Sequence, residues 1–193
     1  SKILIIIMKN VFLVIMVILI VGCSKDSVEV PSIITDIDGN VYNAVVIGKQ
    51  TWMKTNLNVS KYQDGTLIPE VTDPVQWAKL TTGAWCYYES TDGNIYGKLY
   101  NWYAVAGIWN ETSKTDTTQR KKLAPTGYHV PSDSEWTTLY DSANLKTSDF
   151  TALPGGYRYI DGQFYNIHNH GDWWSTSEYD QSFALSRGLY YDD

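Results

Sequence analysis

The sequence predicts an α+β fold, and three observations point there. Short β-rich runs alternate with turns built on Gly, Asn and Asp. Two separate stretches carry helix signals. No repeat of about 20–50 residues runs along the chain, which argues against a solenoid or propeller. The expectation is short twisted antiparallel strands, two helices and long loops.

The elements follow in order. Ile33-Ile34-Thr35 and Val41–Ile47 flank Asp38-Gly39-Asn40, and a Gly-containing turn between β-rich runs predicts a hairpin. Gly48-Lys49-Gln50 turns again before a short strand, Thr51-Trp52-Met53. Asp64-Gly65 marks another turn. Pro74 suits the first position of a short helix over 73–80. Thr82–Tyr88 reads as a strand and Asp92-Gly93-Asn94 as a turn. Leu99, Trp102, Tyr103 and Ala106 recur at helical spacing, which predicts a helix over 99–108. The polar stretch 110–122 reads as a solvated loop. Ser132 stands three residues before Glu135, the spacing of a capping box, and opens a helix running to about Ala143. From Phe150 onward the chain reads as strands and turns.

Residues 1–22 differ sharply from the rest. An apolar run, Val11–Val21, follows Lys9, and eleven residues fall short of the roughly 20 needed to span a bilayer. A basic residue, an apolar stretch and small residues before a cut site form a secretory leader. Leu19-Ile20-Val21-Gly22-Cys23 resembles the bacterial lipobox, with Cys23 as lipid acceptor. Acyl chains bury CH₂ groups at about 0.8 kcal/mol each, so a multiply acylated Cys23 anchors the protein to a membrane. The alternative is a transmembrane anchor over 3–21, with Lys9 near one end. Met8 reads as the natural start. The expected organisation is a signal peptide over 1–22, a lipidated Cys and tether over 23–32, and one domain over 33–193.

Composition narrows the function. Loss of Lys2 and Lys9 with the leader takes the formal charge from −6 to −8, which excludes a basic nucleic-acid-binding face. Fifteen Tyr and eight Trp against four Phe favour rings with a polar edge, suited to half-buried and surface positions. Only two cysteines exist, and lipidation of Cys23 leaves Cys86 without an intrachain partner. Cys86 lies in an apolar run and reads as a small buried hydrophobe.

Six spaced motifs resemble one family. They are Ile47-Gly48-Lys49-Gln50-Thr51-Trp52-Met53-Lys54-Thr55-Asn56-Leu57, Tyr62-Gln63-Asp64-Gly65, Tyr96–Val105, Leu123–Trp136, Ala152–Arg158 and Trp174-Ser175-Thr176-Ser177. In that order they resemble the Fibrobacter succinogenes major paralogous domain. Ala124 stands where the family usually has Cys, and Tyr128 where it has Trp. The resemblance implies a C-type-lectin-like fold, related to the formylglycine-generating-enzyme fold. Members are commonly lipoproteins of Bacteroidetes and Fibrobacteres, so a cell-envelope, lipid-anchored location is implied. It also implies a closing strand that pairs near the first, and the chain stops at Asp193 before such a strand, so a C-terminally truncated domain is expected. The loss of two family cysteines would remove a disulfide.

The chemical candidates are few. Gly-x-Ser-x-Gly, His-Glu-x-x-His and phosphate-binding loops are absent, so no enzyme is expected. A formylglycine-generating-like oxidase near Cys86 is the catalytic alternative. His168-Asn169-His170 would place two rings on one side of a strand, but two ligands are few for a transition metal. His129 reads as a satisfied, half-buried histidine. No cofactor is expected. Calcium, the lectin-fold precedent, is the alternative, with oxygens over 157–161 and 166–172 but no recognisable ligand spacing. Trp52, Trp85, Trp102, Trp136 and Trp174 lie in motifs and read as core. The C-terminal mixture of rings with Ser, Asn, Asp and Gly resembles a binding surface made of rigid amphipathic rings and adaptable polar groups. Its candidate residues are Tyr165, Trp173, Tyr179, Tyr190 and Tyr191. The function expected is recognition of a glycan or protein ligand through C-terminal aromatic loops. The alternative is a structural surface or adhesin subunit.

Overall fold

The computed structural model describes residues 33–90, 93–142, 150–180 and 183–191. The leader, Cys23 and the tether lie outside them. The described residues belong to a compact unit over 31–193. Among them no helix is long and apolar enough to cross a membrane.

The fold class is α+β. The first sheet has the order β1-β2-β3, from β1 (Ile33–Thr35), β2 (Val41–Ile47) and β3 (Gln50–Met53), all antiparallel. Its first turn forms because the Asp36 carboxylate accepts the Asp38 and Asn40 backbone N–H groups at 2.9 and 3.0 Å. A two-stranded sheet pairs β4 (Trp85–Cys86) with β5 (Leu99–Tyr100). The third sheet runs β7-β6-β8-β9, from β6 (Gly155–Arg158), β7 (Phe164–Ile167), β8 (His170–Glu178) and β9 (Ala184–Tyr190).

Five α-helices lie among the described residues. Four are single turns: α1 (Pro74–Trp77), α2 (Gly93–Tyr96), α3 (Trp102–Val105) and α4 (Thr112–Thr115). Only α5 (Asp133–Ser142) is longer, with ten residues. Its capping box forms as the spacing predicts. The Ser132 N–H donates to Glu135 Oε2 at 2.8 Å, and the Glu135 N–H to Ser132 Oγ at 3.4 Å. Asp73 caps α1, accepting the Gln76 N–H at 2.7 Å with Pro74 in the first turn.

Four expectations need correction. The helix over 99–108 is a two-residue strand followed by one helical turn. Asn101 stops the strand and caps α3, its Oδ1 accepting the Ala104 N–H at 3.0 Å. The left-handed backbone of Gly107, at φ +73°, ends that helix, and only Gly fits there because a Cβ would lie 2.0 Å from the Lys121 carbonyl oxygen. The strand over 82–88 shrinks to Trp85–Cys86. The loop over 110–122 holds α4 and a 3-10 turn, Thr117–Gln119, around a fully buried Ser113. The strands are not all antiparallel either, since β6 and β8 pair in parallel at Gly156 and Gly171.

Three apolar clusters form the core. One gathers Val59, Tyr62, Ile68, Trp85, Ala104, Val105 and Leu123. A second, under α5, holds Trp52, Trp136, Leu139, Phe150 and Ala152, with the Trp52 and Trp136 ring centroids 4.9 Å apart. The third joins Val71, Trp77, Ala84 and Cys86. Trp52, Trp85 and Trp136 are buried as expected, whereas Trp102 and Trp174 are half-buried. Burial raises the Cys86 thiol above its ordinary value although the Arg158 guanidinium acts the other way, so the thiol stays protonated.

Arg158 joins the third sheet to the third cluster. Its guanidinium centre lies 4.3 Å from the Trp77 ring centroid and 4.7 Å from that of Phe164. It donates to the carbonyls of Val71 and Thr72 at 2.6 and 2.7 Å. Asn101 does similar work between β4 and α3. Besides capping, it accepts the Ala84 N–H at 3.0 Å and donates to the Thr82 carbonyl at 2.9 Å. Asn101→Ala is expected to destabilise the domain by about 3 kcal/mol, from a lost cap and a half-buried amide left unpaired. Asn101→Asp keeps both acceptor contacts but turns a carboxylate oxygen onto the Thr82 carbonyl, and is expected to cost about as much. Urea unfolding midpoints at pH 7 measure both.

Candidate functional site

The four-stranded sheet assembles an aromatic row. The β6–β7 turn closes with the Tyr159 N–H donating to the Gln163 carbonyl at 2.9 Å, while Asp161 Oδ1 accepts the Gln163 N–H at 2.8 Å. This register sets Tyr157 opposite Tyr165, and their rings stack with centroids 5.7 Å apart and 27° between planes. Tyr159 meets the edge of Tyr165 at 6.4 Å. On the other side Tyr157 meets His170 of β8 at 5.7 Å and 81°. His170 lies in register with Tyr190 of β9, 4.2 Å between centroids. Each of the four strands thus contributes one ring, and Tyr159 extends the row past the end of β6.

The row is exposed at both ends and buried in the middle. Tyr159, Tyr165 and Tyr190 are 52%, 38% and 60% exposed, whereas His170 is 5% exposed. Gly188 admits the imidazole, since a Cβ there would lie 2.6 Å from His170 Cε1. His170 Nδ1 and Asp172 Oδ1 are both buried without a hydrogen-bond partner. Burial raises the Asp172 carboxyl, with Ser186 and His170 opposing that shift. Asp161 Oδ2 accepts the Tyr165 hydroxyl at 3.0 Å, and this bond keeps the phenol protonated beyond its usual range.

Only two of the five rings expected from the sequence belong to this row, Tyr165 and Tyr190. Trp173 points into the core instead, donating from Nε1 to Asn56 Oδ1 at 2.9 Å with its centroid 6.4 Å from Trp136. Tyr191 is half-buried with its hydroxyl enclosed and unpartnered. Tyr179 stands at the β8–β9 hairpin tip, 74% exposed, its N–H donating to the Phe183 carbonyl at 2.8 Å. Tyr157, Tyr159 and His170 complete the row and were absent from the sequence expectation. The two-residue spacing of Tyr157 and Tyr159 was the available signal, because alternate strand residues share a face.

The histidines need correction. His168 and His170 do not share a strand: His168 sits in the β7–β8 turn at φ +72°, its Nδ1 3.1 Å from the Tyr96 hydroxyl. His129 is exposed rather than half-buried, with Nε2 2.9 Å from Glu135 Oε1. No group of three or more His, Cys, Asp or Glu able to hold a metal occurs among the described residues.

The motif residues outside the row are structural. Asn56 joins Trp173 to the Tyr96 carbonyl, to which its Nδ2 donates at 2.9 Å. Trp174 donates from Nε1 to the Tyr100 carbonyl at 2.9 Å. Burial pushes the Glu135 carboxyl up, but the Ser132 N–H and hydroxyl and the His129 ring outweigh it and hold the carboxyl below its ordinary 4.5. Asp64, bound by Lys121 and the Thr66 N–H, is held down at about 2.

Both carboxyls therefore stay ionised in the folded protein at pH values where the unfolded chain has begun to take up protons. Their stabilising contribution is complete above the unfolded values and is lost as pH falls through the folded ones. Stability is expected to drop from about pH 5 towards pH 2, and Glu135→Gln with Asp64→Asn to flatten that slope. Urea midpoints measured across this range test it.

Comparison with known proteins adds one finding. The family described as the Fibrobacter succinogenes major domain matches residues 45–149, and the aromatic row lies C-terminal to that match. Among curated proteins and among solved structures, none matches the chain. With more than half of its length matched, the chain belongs to the Fibrobacter succinogenes major domain family.

Proposed function

We propose that the protein is a lipid-anchored cell-envelope binding domain with a C-type-lectin-like arrangement, recognising a glycan through its C-terminal aromatic surface. The single observation behind this reading is the row Tyr159–Tyr165–Tyr157–His170–Tyr190, open to solvent at both ends. Sugar rings present C–H faces to aromatic rings and hydroxyls to short polar groups. Asp161, Gln163, Asn166 and Asn169 supply such groups, all exposed on the β6–β7 and β7–β8 connections. Tyr and His rings add hydrogen-bonding edges at low conformational cost.

The anchor in this reading is the thioether lipid on Cys23, which holds the domain at the membrane surface. The ligand is then met at the cell envelope, and the protein takes no part in chemistry on it.

A glycan array probed with the full-length protein in detergent micelles tests the reading, with hits confirmed by titration calorimetry. Tyr165→Ala and Tyr190→Ala are each expected to weaken binding about tenfold or more, while Tyr179→Ala changes it less than threefold. Absence of any glycan bound, or binding indifferent to both row substitutions, removes the reading. For the anchor, metabolic labelling with a radioactive fatty acid is expected to mark the wild type and not Cys23→Ser.

A further inference from the structure

We propose a second binding surface, separate from the aromatic row. The outer edge of β9 and the groove between β9 and α5 accept an extended peptide segment of another protein, added to the sheet as a further strand.

Two independent features coincide there. The first is the edge itself. β9 is seven residues long, about 23 Å. It pairs with β8 on one side, and among the described residues it lies at the margin of the sheet in the order β7-β6-β8-β9. An antiparallel strand directs alternate N–H and C=O groups away from its partner, so an edge is a template for another strand. Edges are ordinarily guarded by Lys, Pro or a bulge. β9 contains no Pro or Lys and pairs with 170–174 in register from 186 to 190, the register shift of this ladder lying beyond, between Trp174 and Glu178 towards the hairpin tip. Its one charge is Arg187, whose guanidinium is turned onto α5. Nη2 donates to Asp133 Oδ1 at 2.5 Å and to Thr137 Oγ1 at 2.9 Å.

The second feature is a groove of about 100 Å³ beside that edge, lined by Trp136, Tyr140, Phe150, Trp173 and Leu189, with Arg187 and Gly188. Its walls are aromatic and aliphatic. Cavities of about 150 Å³ take up benzene, so this one has room for a single apolar side chain. Tyr140 forms its rim and is 67% exposed.

The occupant follows from which side chains point where. Along β9, Arg187 and Leu189 face α5 and the core, while Ser186, Gly188 and Tyr190 face the other way and are exposed. A second copy pairing through its own β9 would bring no spare apolar side chain to the groove, because Leu189 already lines its own. A peptide with an apolar residue at alternate positions fills it. Charge narrows the choice further. Asp133 is taken up by Arg187 and Glu135 by Ser132 and His129, so it is the exposed Asp141 and the overall charge of −6 that favour basic residues flanking the apolar ones. The mode combines strand addition for affinity with one pocket for selectivity.

The probe is the fluorescein-labelled peptide acetyl-Lys-Thr-Leu-Thr-Leu-Thr-Lys-amide, titrated against the full chain in detergent micelles by fluorescence polarisation. Amide hydrogen exchange is followed in parallel. We expect saturable binding and new protection of amides within 184–190. A control peptide with Asn in place of both Leu residues is expected to bind at least about tenfold more weakly, as is the Leu peptide to Tyr140→Ala. Tyr140 is exposed on a helix, so this variant retains the fold, shown by unchanged circular dichroism. Tyr165→Ala is expected to leave peptide affinity unchanged, which separates this surface from the glycan row. Four results overturn the proposal. They are absence of binding, equal affinity for Tyr140→Ala, loss of affinity in Tyr165→Ala, and protection in the free protein of those β9 amides that do not bond to β8, by a second copy or another part of the chain.

Discussion

A buried ammonium group organises the half of the molecule that has least regular structure. Lys98 is 8% exposed. Its Nζ donates to the Asn58 carbonyl at 2.6 Å and to the Asn58 carboxamide oxygen at 3.2 Å, and lies 4.4 Å from the Trp85 ring centroid. A charge in that position is tolerable only while oxygens and ring faces replace its water. Asn58 must therefore stay in place. Its N–H donates to the Tyr42 hydroxyl at 3.0 Å, which in turn donates to Asp36 Oδ2 at 2.5 Å. Asn40 closes the circuit from the first turn, donating to Asp36 Oδ2 and to the Asn58 carbonyl at 2.8 and 3.2 Å. The first hairpin, the irregular chain around residue 58 and the β4–β5 sheet are thereby one hydrogen-bonded unit.

The same economy runs through the rest of the core. Strands of two to four residues and helices of one turn cannot satisfy their own backbone, so side chains do it. Asn56, Asn58, Asn101 and Arg158 each bridge segments far apart in sequence, and three of them lie inside the family match. Their energetic weight comes from burial. An amide that loses its partner in such a place forfeits the full desolvation cost rather than the modest net gain of an average hydrogen bond. These bridges hold the segments together without a disulfide among the described residues, where Cys86 is free and buried.

The four-stranded sheet is built differently. Its two longest strands, β8 and β9, have nine and seven residues and pair in register over 170–174 and 186–190, which leaves their outward side chains free to serve a surface. The inner face of β8 sends Trp173 towards α5, and the register that fixes Trp173 also fixes His170 against Tyr190. The aromatic row is thus held by the core without belonging to it. The enclosed, unpartnered nitrogen of His170 is a cost retained at its centre.

The amino-acid order alone determined the class, the first hairpin, the capped helix at Ser132, the β-rich C-terminus and the family. Each rests on local chemistry: Asp and Gly in turns, Ser and Glu three apart, alternation, and motif residues spaced along the chain. It also marked the C-terminal rings as a group, and two of its five candidates lie in the row. Tertiary structure decided the remainder. Asn101 broke the helical pattern of 99–108, because its side chain satisfies Ala84 and Ala104 at once, a contact that no local window contains. Trp173 and His170 are three residues apart on one strand, yet the first turns towards α5 and stays half-buried, while the pairing with β9 encloses the second among tyrosines. Which ring faces solvent depends on what lies across the sheet, and that is fixed only when distant strands pair.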